Sequence, residues 1–452
     1  MTKQFKLKKR VFKGMLNSVF FRTGIALMVL FLLTSMMAFL FSIGTTDILE
    51  YALSFEAIQT RETVIERDAT GYYSIKVANE ADTTPIKILQ LTDIHLGNGV
   101  CTQKQDRYAI NAVYKVVKAV EPDLIMVTGD SVYPVFIQTM TSNNLEQTKV
   151  FCNMMESIGI PWAYAYGNHD EEVYATHRKS SLTSYYQSIS YENGGKCLFT
   201  PEQRMIDLEN DTEFEMYGEF SGDVYGDSNY FINVLNSDSS LNTTCLVIDS
   251  NMYIEGSLTD GYDNIHEDQI EWYEKELTRV SNCYNAQDGT SGLANSLAFY
   301  HIPSQEYYDV WNALEKQCTK LTDEWGTHFA EGTTENIDGN DVYYHYGYMG
   351  EGYRDNGEAI ISDAKYSDLF FEKLVELGST KATFVGHDHK NTYSVTYKGI
   401  ILNFGLSIDN LAYVDVADYE YRGGTIIELD DFSADGVWNM TISQLKLSDI
   451  VD

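Results

Sequence analysis

Phe384-Val385-Gly386-His387-Asp388-His389-Lys390-Asn391 carries an apolar run, Ala382 to Val385, onto a glycine and two histidines. Such a run reads as a buried strand, so the polar residues after it stand at the strand's C-terminal end. Four earlier blocks repeat the arrangement: Asp93-Ile94-His95, Gly129-Asp130, Gly167-Asn168-His169-Asp170 and His301. Leu124 to Val127 precedes Gly129, and Trp162 to Tyr166 precedes Gly167. Open α/β folds build their sites along the rim at the C-terminal strand ends, and the five blocks are expected to meet there. Five of the nine histidines lie in them. Imidazole, carboxylate and amide oxygen suit Fe, Zn or Mn, so the pattern reads as a site for two metal ions. Two ions about 3.5–4 Å apart can clamp the attacking and leaving oxygens of a phosphoryl transfer. With two aspartates, a hydroxide and otherwise neutral ligands, two divalent ions leave the pocket net positive and attractive to phosphate.

The elements around the blocks point to an α/β fold. Strand-like runs at 86–91, 124–128 and 162–166 alternate with helical patterns at 105–120 and 144–158, which predicts a parallel core sheet. Further strands are expected at 229–235, 244–249 and 297–300, with helices at 266–280, 304–318 and 363–377. Residues 393–403 and 423–445 supply closing strands. Two inserts, 192–228 and 319–357, are rich in tyrosine and acidic residues. The second lies between two ligand blocks and reads either as a wall or lid over the site or as a surface loop, with Arg354 as a candidate phosphate clamp.

The order D-x-H, G-D, G-N-H-D, H, G-H-x-H resembles the calcineurin-like metallophosphoesterase superfamily. Gln90 to Gly97, Ala165 to Glu172, Tyr300 to Pro303 and Phe384 to Asn391 are similar to the purple-acid-phosphatase-related branch that includes the Dcr2-type phosphatases. The resemblance spans roughly residues 85–430. It implies a four-layer α/β/β/α sandwich and a phosphoric ester hydrolase, a phosphomonoesterase first and a phosphodiesterase on nucleotide or lipid-linked phosphates second. A non-catalytic surface protein that keeps the metal fold for binding is the competing class. The resemblance also implies roles. Asp93, His95, Asp130 and His389 would hold one ion, and Asp130, Asn168, His301 and His387 the other, with Asp130 bridging. A metal-bound hydroxide would attack, His169 would protonate the leaving oxygen, and Asp170 would orient His169. Tyr133 stands where purple acid phosphatases carry a tyrosinate ligand. Because His95 is also present, Tyr133 reads first as a pocket wall and second as a ligand.

The N-terminus differs in kind. Residues 1–22 carry seven basic side chains and no acid, and 23–43 carry no charge. A 21-residue apolar run suffices for a membrane helix, which needs about 20 residues. The expectation is a single-pass anchor with a cytoplasmic flank and the catalytic domain outside, or a secreted form after signal cleavage. A tether with edge strands would fill 44–84, and the metallophosphoesterase domain 85–445. Beyond residue 46 the chain holds 25 basic and 66 acidic residues. That balance leaves no nucleic-acid-binding surface evident, since one needs clustered Lys and Arg; the resemblance implies a phosphorylated small molecule or surface group as the substrate. The six cysteines form no C-x-x-C, so no structural zinc site is signalled. Asn210, Asn242 and Asn439 begin glycosylation sequons.

Overall fold

The computed structural model describes residues 2–450 apart from 100, 134–143, 171–188, 190, 199–223, 253–261, 324, 338, 351–367, 413–421 and 435. A long helix, α1 (Thr2–Ala52), leads into a hairpin of β1 (Thr63–Arg67) and β2 (Tyr73–Val77). Then β3 (Ile86–Leu91), α2 (Gln103–Val120), β4 (Leu124–Thr128), α3 (Leu145–Ile158) and β5 (Trp162–Ala165) alternate as expected. The middle of the chain supplies β6 (Tyr230–Leu235), β7 (Leu241–Val247), α4 (Glu267–Asp288), β8 (Ser296–Phe299) and α5 (Gln305–Gln317). Four short strands follow: β9 (Leu321–Asp323), β10 (Gly326–His328), β11 (Thr334–Ile337) and β12 (Asn340–Tyr346). The C-terminal part holds α6 (Phe370–Leu377), β13 (Thr380–Val385), β14 (Ser394–Tyr397), β15 (Ile400–Phe404), β16 (Gly423–Leu429) and β17 (Met440–Lys446).

Two sheets form. One has five strands in the order β17-β16-β3-β4-β5, and the other ten, in the order β1-β2-β6-β7-β8-β13-β15-β14-β12-β11. The centre of each is parallel: β3, β4 and β5 in the first, β7, β8, β13 and β15 in the second. Strands β4 and β5 are buried at every position, the pattern of a parallel strand covered on both faces. Tyr230 Oη donates to Tyr164 O and accepts from Tyr164 N, both at 2.8 Å, and Gln90 Nε2 reaches Val385 O at 3.0 Å. These bonds join the two sheets face to face. Helix α2 lays its buried Ile110, Val113, Val116 and Val117 on the first sheet. Helix α4 covers the second, with Tyr273 Oη 2.9 Å from Thr380 Oγ1 and its ring stacked over Phe231. The result is a mixed α/β fold layered helix, sheet, sheet, helix.

At the N-terminus α1 continues to Ala52, where Ile48 and Ala52 are fully buried and Arg107 pairs with Asp47 at 2.8 Å, and β1 and β2 lie at the edge of the larger sheet. β2 then pairs in parallel with β6. Among the described residues no helix is long and apolar enough to cross a membrane. The expected span at 23–43 therefore gains no support from the structure. Side chains 37–46 lie outside the described residues, and those of 22–36 are exposed. All six cysteines are free thiols.

Arg61 fastens this N-terminal extension. Its Nε donates to Asp123 Oδ1 at 2.7 Å and Nη2 to Pro85 O at 2.6 Å, and Asp123 Oδ2 also accepts from Lys87 N at 2.8 Å. Arg61→Ala would leave the buried Asp123 carboxylate with one fewer partner. A loss of about 1–3 kcal/mol is expected, read as a lower denaturant midpoint, with protease cleavage beginning between residues 58 and 84.

Candidate dinuclear metal centre

Every ligand block falls at a strand's C-terminal end, on one rim of the two sheets. Asp93 and His95 follow β3, Asp130 follows β4, Asn168 and His169 follow β5, His301 follows β8, and His387 and His389 follow β13. Backbone bonds hold these turns together: Asp93 N to Gly129 O at 3.1 Å, His95 N to Asp130 O at 3.0 Å, and Gly386 N to His301 O at 3.0 Å. Asp93, His95, Asp130 and His387 all have positive φ, between 50° and 73°. Non-glycine residues rarely adopt that region, and holding them there is strain stored at a site. Two glycines permit the close approach. A Cβ on Gly167 would collide with the Asp130 carboxylate, and one on Gly386 with Thr92 Oγ1.

Two groups of donors result. Asp93, His95 and His389 form one; Asp130, His301 and His387 form the other, each with its ligand atoms within 4.8 Å of one another. Asp130 Oδ2 joins them, 3.4 Å from His95 Nε2 and 3.2 Å from His301 Nε2. His389 Nε2 lies 3.4 Å from Asp93 Oδ1. The donors fit metal ions. Both carboxylates are buried, and buried charges need a partner or a metal. His95 Nδ1 and Nε2 and His387 Nε2 are buried nitrogens that make no hydrogen bond. His301 Nδ1 is tied to Thr128 O at 2.8 Å, which turns Nε2 toward Asp130; orientation of this kind is usual for ligating histidines. Asn168 is fully buried on the loop after β5.

His169 stands apart. Its side chain is 19% exposed, its Nε2 lies 4.0 Å from Asp130 Oδ2, and its backbone N–H donates to Asp130 Oδ1 at 2.9 Å. Asp170 does not orient it. The Asp170 carboxylate accepts from Asp130 N at 2.7 Å, Ser131 N at 3.0 Å and Gly167 N at 2.8 Å, so it braces the loop that presents Asp130. Tyr133 lies tilted at 45° against His95 and edge-on against His169, with ring centroids at 5.0 and 4.7 Å, the place of a pocket wall. Arg354 lies outside the described residues.

Two residues escaped the sequence reading. Asp409 Oδ2 sits 3.0 Å from His389 Nδ1 and orients that ring from behind. The available signal was position: Asp409 comes shortly after β15, which runs parallel to β13. Tyr262 meets His387 edge-on at 4.4 Å and walls the second group as Tyr133 walls the first. Nothing in its sequence context announces this.

The electrostatics follow from burying acids among imidazoles. Burial opposes charge on His95, but Asp130 and Asp93 outweigh it and push its pKa up to about 9. Burial likewise opposes charge on His301, and Asp130 pushes it up to about 9. Burial alone would raise Asp93 and Asp130; the histidines reverse this and hold both well below the carboxylate range. Burial drives His387 well below the ordinary histidine value, with His301 adding to the effect.

Residues 86–251 match the calcineurin-like phosphoesterase family. The chain carries a calcineurin-like phosphoesterase domain. It is homologous to purple acid phosphatase-like proteins. "Probable inactive purple acid phosphatase 29" of Arabidopsis thaliana is 26% identical over 354 residues, covering 75% of this chain and 76% of its own. "Phosphatase DCR2" of Saccharomyces cerevisiae is 26% identical over 250 residues, 51% of this chain and 37% of its own. A dimetal phosphatase from Danio rerio aligns with a TM-score of 0.41 at 9% identity, covering 80% of this chain and 97% of that one.

The metal-free site should respond to pH in a definite direction. Ligation requires neutral imidazole, and His95 and His301 hold protons up to about 9. Apparent metal affinity should therefore rise with pH toward 9, with protons released on binding. Titration calorimetry in buffers of different ionisation enthalpy measures that release. The same raised values stabilise the metal-free fold below the ordinary histidine value of 6.5, and this contribution fades as pH rises to about 9.

Proposed function

We propose that this protein is a metal-dependent phosphoric ester hydrolase, acting first on monoesters, with Asp93, His95, Asp130, Asn168, His301, His387 and His389 holding two metal ions. The observation that carries the reading is Asp130 Oδ2, approached by one histidine from each donor group. When bound, two such ions supply Lewis acidity toward phosphoryl oxygens and lower the pKa of water. The chain's own residues do the rest. Asp170 fixes the Asp130 loop, Asp409 and Thr128 O orient His389 and His301, and Tyr133 confines the His169 ring. His169 is partly exposed, as His387 is, but it belongs to neither donor group, and it is assigned the proton that the leaving oxygen takes up. The Arabidopsis relative's name raises the reading of a non-catalytic binding protein. The full donor set together with His169 favours catalysis. Turnover of an aryl phosphate against its bis-aryl diester separates monoesterase, diesterase and binding protein.

Asp130→Asn should lose metal and turnover together. His169→Ala should keep its metal yet lose about 10²–10⁴ in kcat on poor leaving groups, and much less on nitrophenyl phosphate, which needs little protonation. Equal loss across leaving groups, or loss of metal, would remove His169 from the acid role.

We also propose that the basic flank and apolar run at 1–43 anchor the chain with its catalytic domain outside the cytoplasm, a reading supported by length and charge asymmetry. Protease added to intact cells should digest the domain, and alkaline washing should leave it bound. A soluble form beginning near Gly44 would show cleavage instead, and a domain digested only after lysis would place it in the cytoplasm.

A further inference from the structure

A cavity of about 390 Å³ opens beside the metal loops. Its lining includes Thr392, on the loop that carries His389, and Leu406, just ahead of Asp409. Lys446 adds to it from β17, opposite Gly423 at the start of β16. That end of β16 faces the C-terminal end of β3, so the cavity lies on the same rim as the ligands. Side chains between Trp325 and Tyr348 form its outer wall, and this segment is pinned there: Tyr348 N donates to Thr392 Oγ1 at 3.0 Å, Thr392 N to Tyr348 O at 2.8 Å, and Gly350 N to Lys390 O at 3.2 Å.

The wall has a specific chemistry. Trp325, Phe329, Tyr344 and Tyr348 provide rings, and His328 and Gln444 provide polar atoms. The rings are crossed: Phe329 meets Tyr344 at 82°, and His328 meets Tyr348 at 66°. Phe329 and Tyr344 are buried against each other, so the partly exposed Trp325 and Tyr348 are the rings that offer faces to the apolar side of a puckered ring. Gln444 Nε2 is committed to Thr392 O at 3.0 Å and Phe404 O at 3.2 Å. Its amide is thereby fixed, with the oxygen left to accept a hydroxyl proton. The volume falls within the range of small-molecule sites.

We propose that this cavity is a sugar subsite that takes the hexose part of a sugar phosphate whose phosphate reaches the metal centre. The placement of the phosphate rests on the phosphatase reading; recognition of the sugar does not. The test uses the full chain and two variants of wall side chains outside both donor groups, Trp325→Ala and Tyr348→Leu. Glucose 6-phosphate, AMP and acetyl phosphate, which has no ring, serve as substrates, and quenching of tryptophan fluorescence by free glucose reports binding. Each variant should lose roughly 10- to 100-fold in kcat/KM on glucose 6-phosphate and keep its rate on acetyl phosphate. Glucose should change the fluorescence of the parent saturably, and that change should vanish in Trp325→Ala. Equal losses on both esters, a Trp325-dependent preference for AMP, or no saturable glucose effect would each overturn the subsite. If no ester is turned over, the phosphatase reading fails by itself, and the glucose titration still decides the cavity.

Discussion

The site depends on one buried carboxylate. Asp130 Oδ1 is held by the His169 backbone N–H, and Oδ2 faces His95, His301 and, more distantly, His169. A charge at this depth is costly unless it is compensated, and the compensation comes from strands of both sheets. Three features make the geometry possible. Gly167 carries no side chain where one would strike Asp130, Asp170 accepts the N–H groups of the loop, and the Asp130 backbone is held at positive φ. The Asp93 turn repeats the design: Thr92 Oγ1 and His387 N donate to its carboxylate, and Gly386 leaves room for Thr92.

Much of this was legible in the chain. Apolar runs ending in Gly-Asp, Gly-Asn-His and Gly-His-x-His mark strand ends by periodicity, and the strand ends observed at Thr128, Ala165 and Val385 fall where those runs stop. The helices ending at Val120 and Ile158 were equally visible, with Pro122, Gly159 and Pro161 behind them. What could not be read was pairing across the fold. Asp409 looks like any acid after a strand until β15 is placed beside β13, and Tyr262 is one of 33 tyrosines. Asp170 was placed correctly on its loop, but its partners are backbone amides of another loop, and sequence carries no mark of those.

How the N-terminal segment is held was hidden for a related reason. Composition and alternation suggested a tether with edge strands over 44–84, and a few buried anchors fix it to the domain. Ile48 and Ala52, in the last turns of α1, are fully buried, Phe55 meets Tyr114 with ring centroids 4.4 Å apart, and Arg61 crosses to Asp123. Spaced this widely, such residues produce no periodic signal, although each removes a group from water or satisfies a buried charge. The hairpin β1–β2 then extends the larger sheet at its edge through β2 and β6.

The two sheets divide the labour unevenly. The five-stranded sheet supplies Asp93, His95, Asp130, Asn168 and His169 from consecutive β-α-β units, so its part of the centre is set by local chain order. The ten-stranded sheet supplies His301, His387 and His389 from strands separated by the insert that builds β9 to β12. That insert pairs with β14 through β12 and is bonded to the loop just after His389. A change in its length or composition therefore alters the wall beside the ligands without breaking any strand that presents one. This arrangement lets the donor set stay constant while its surroundings vary.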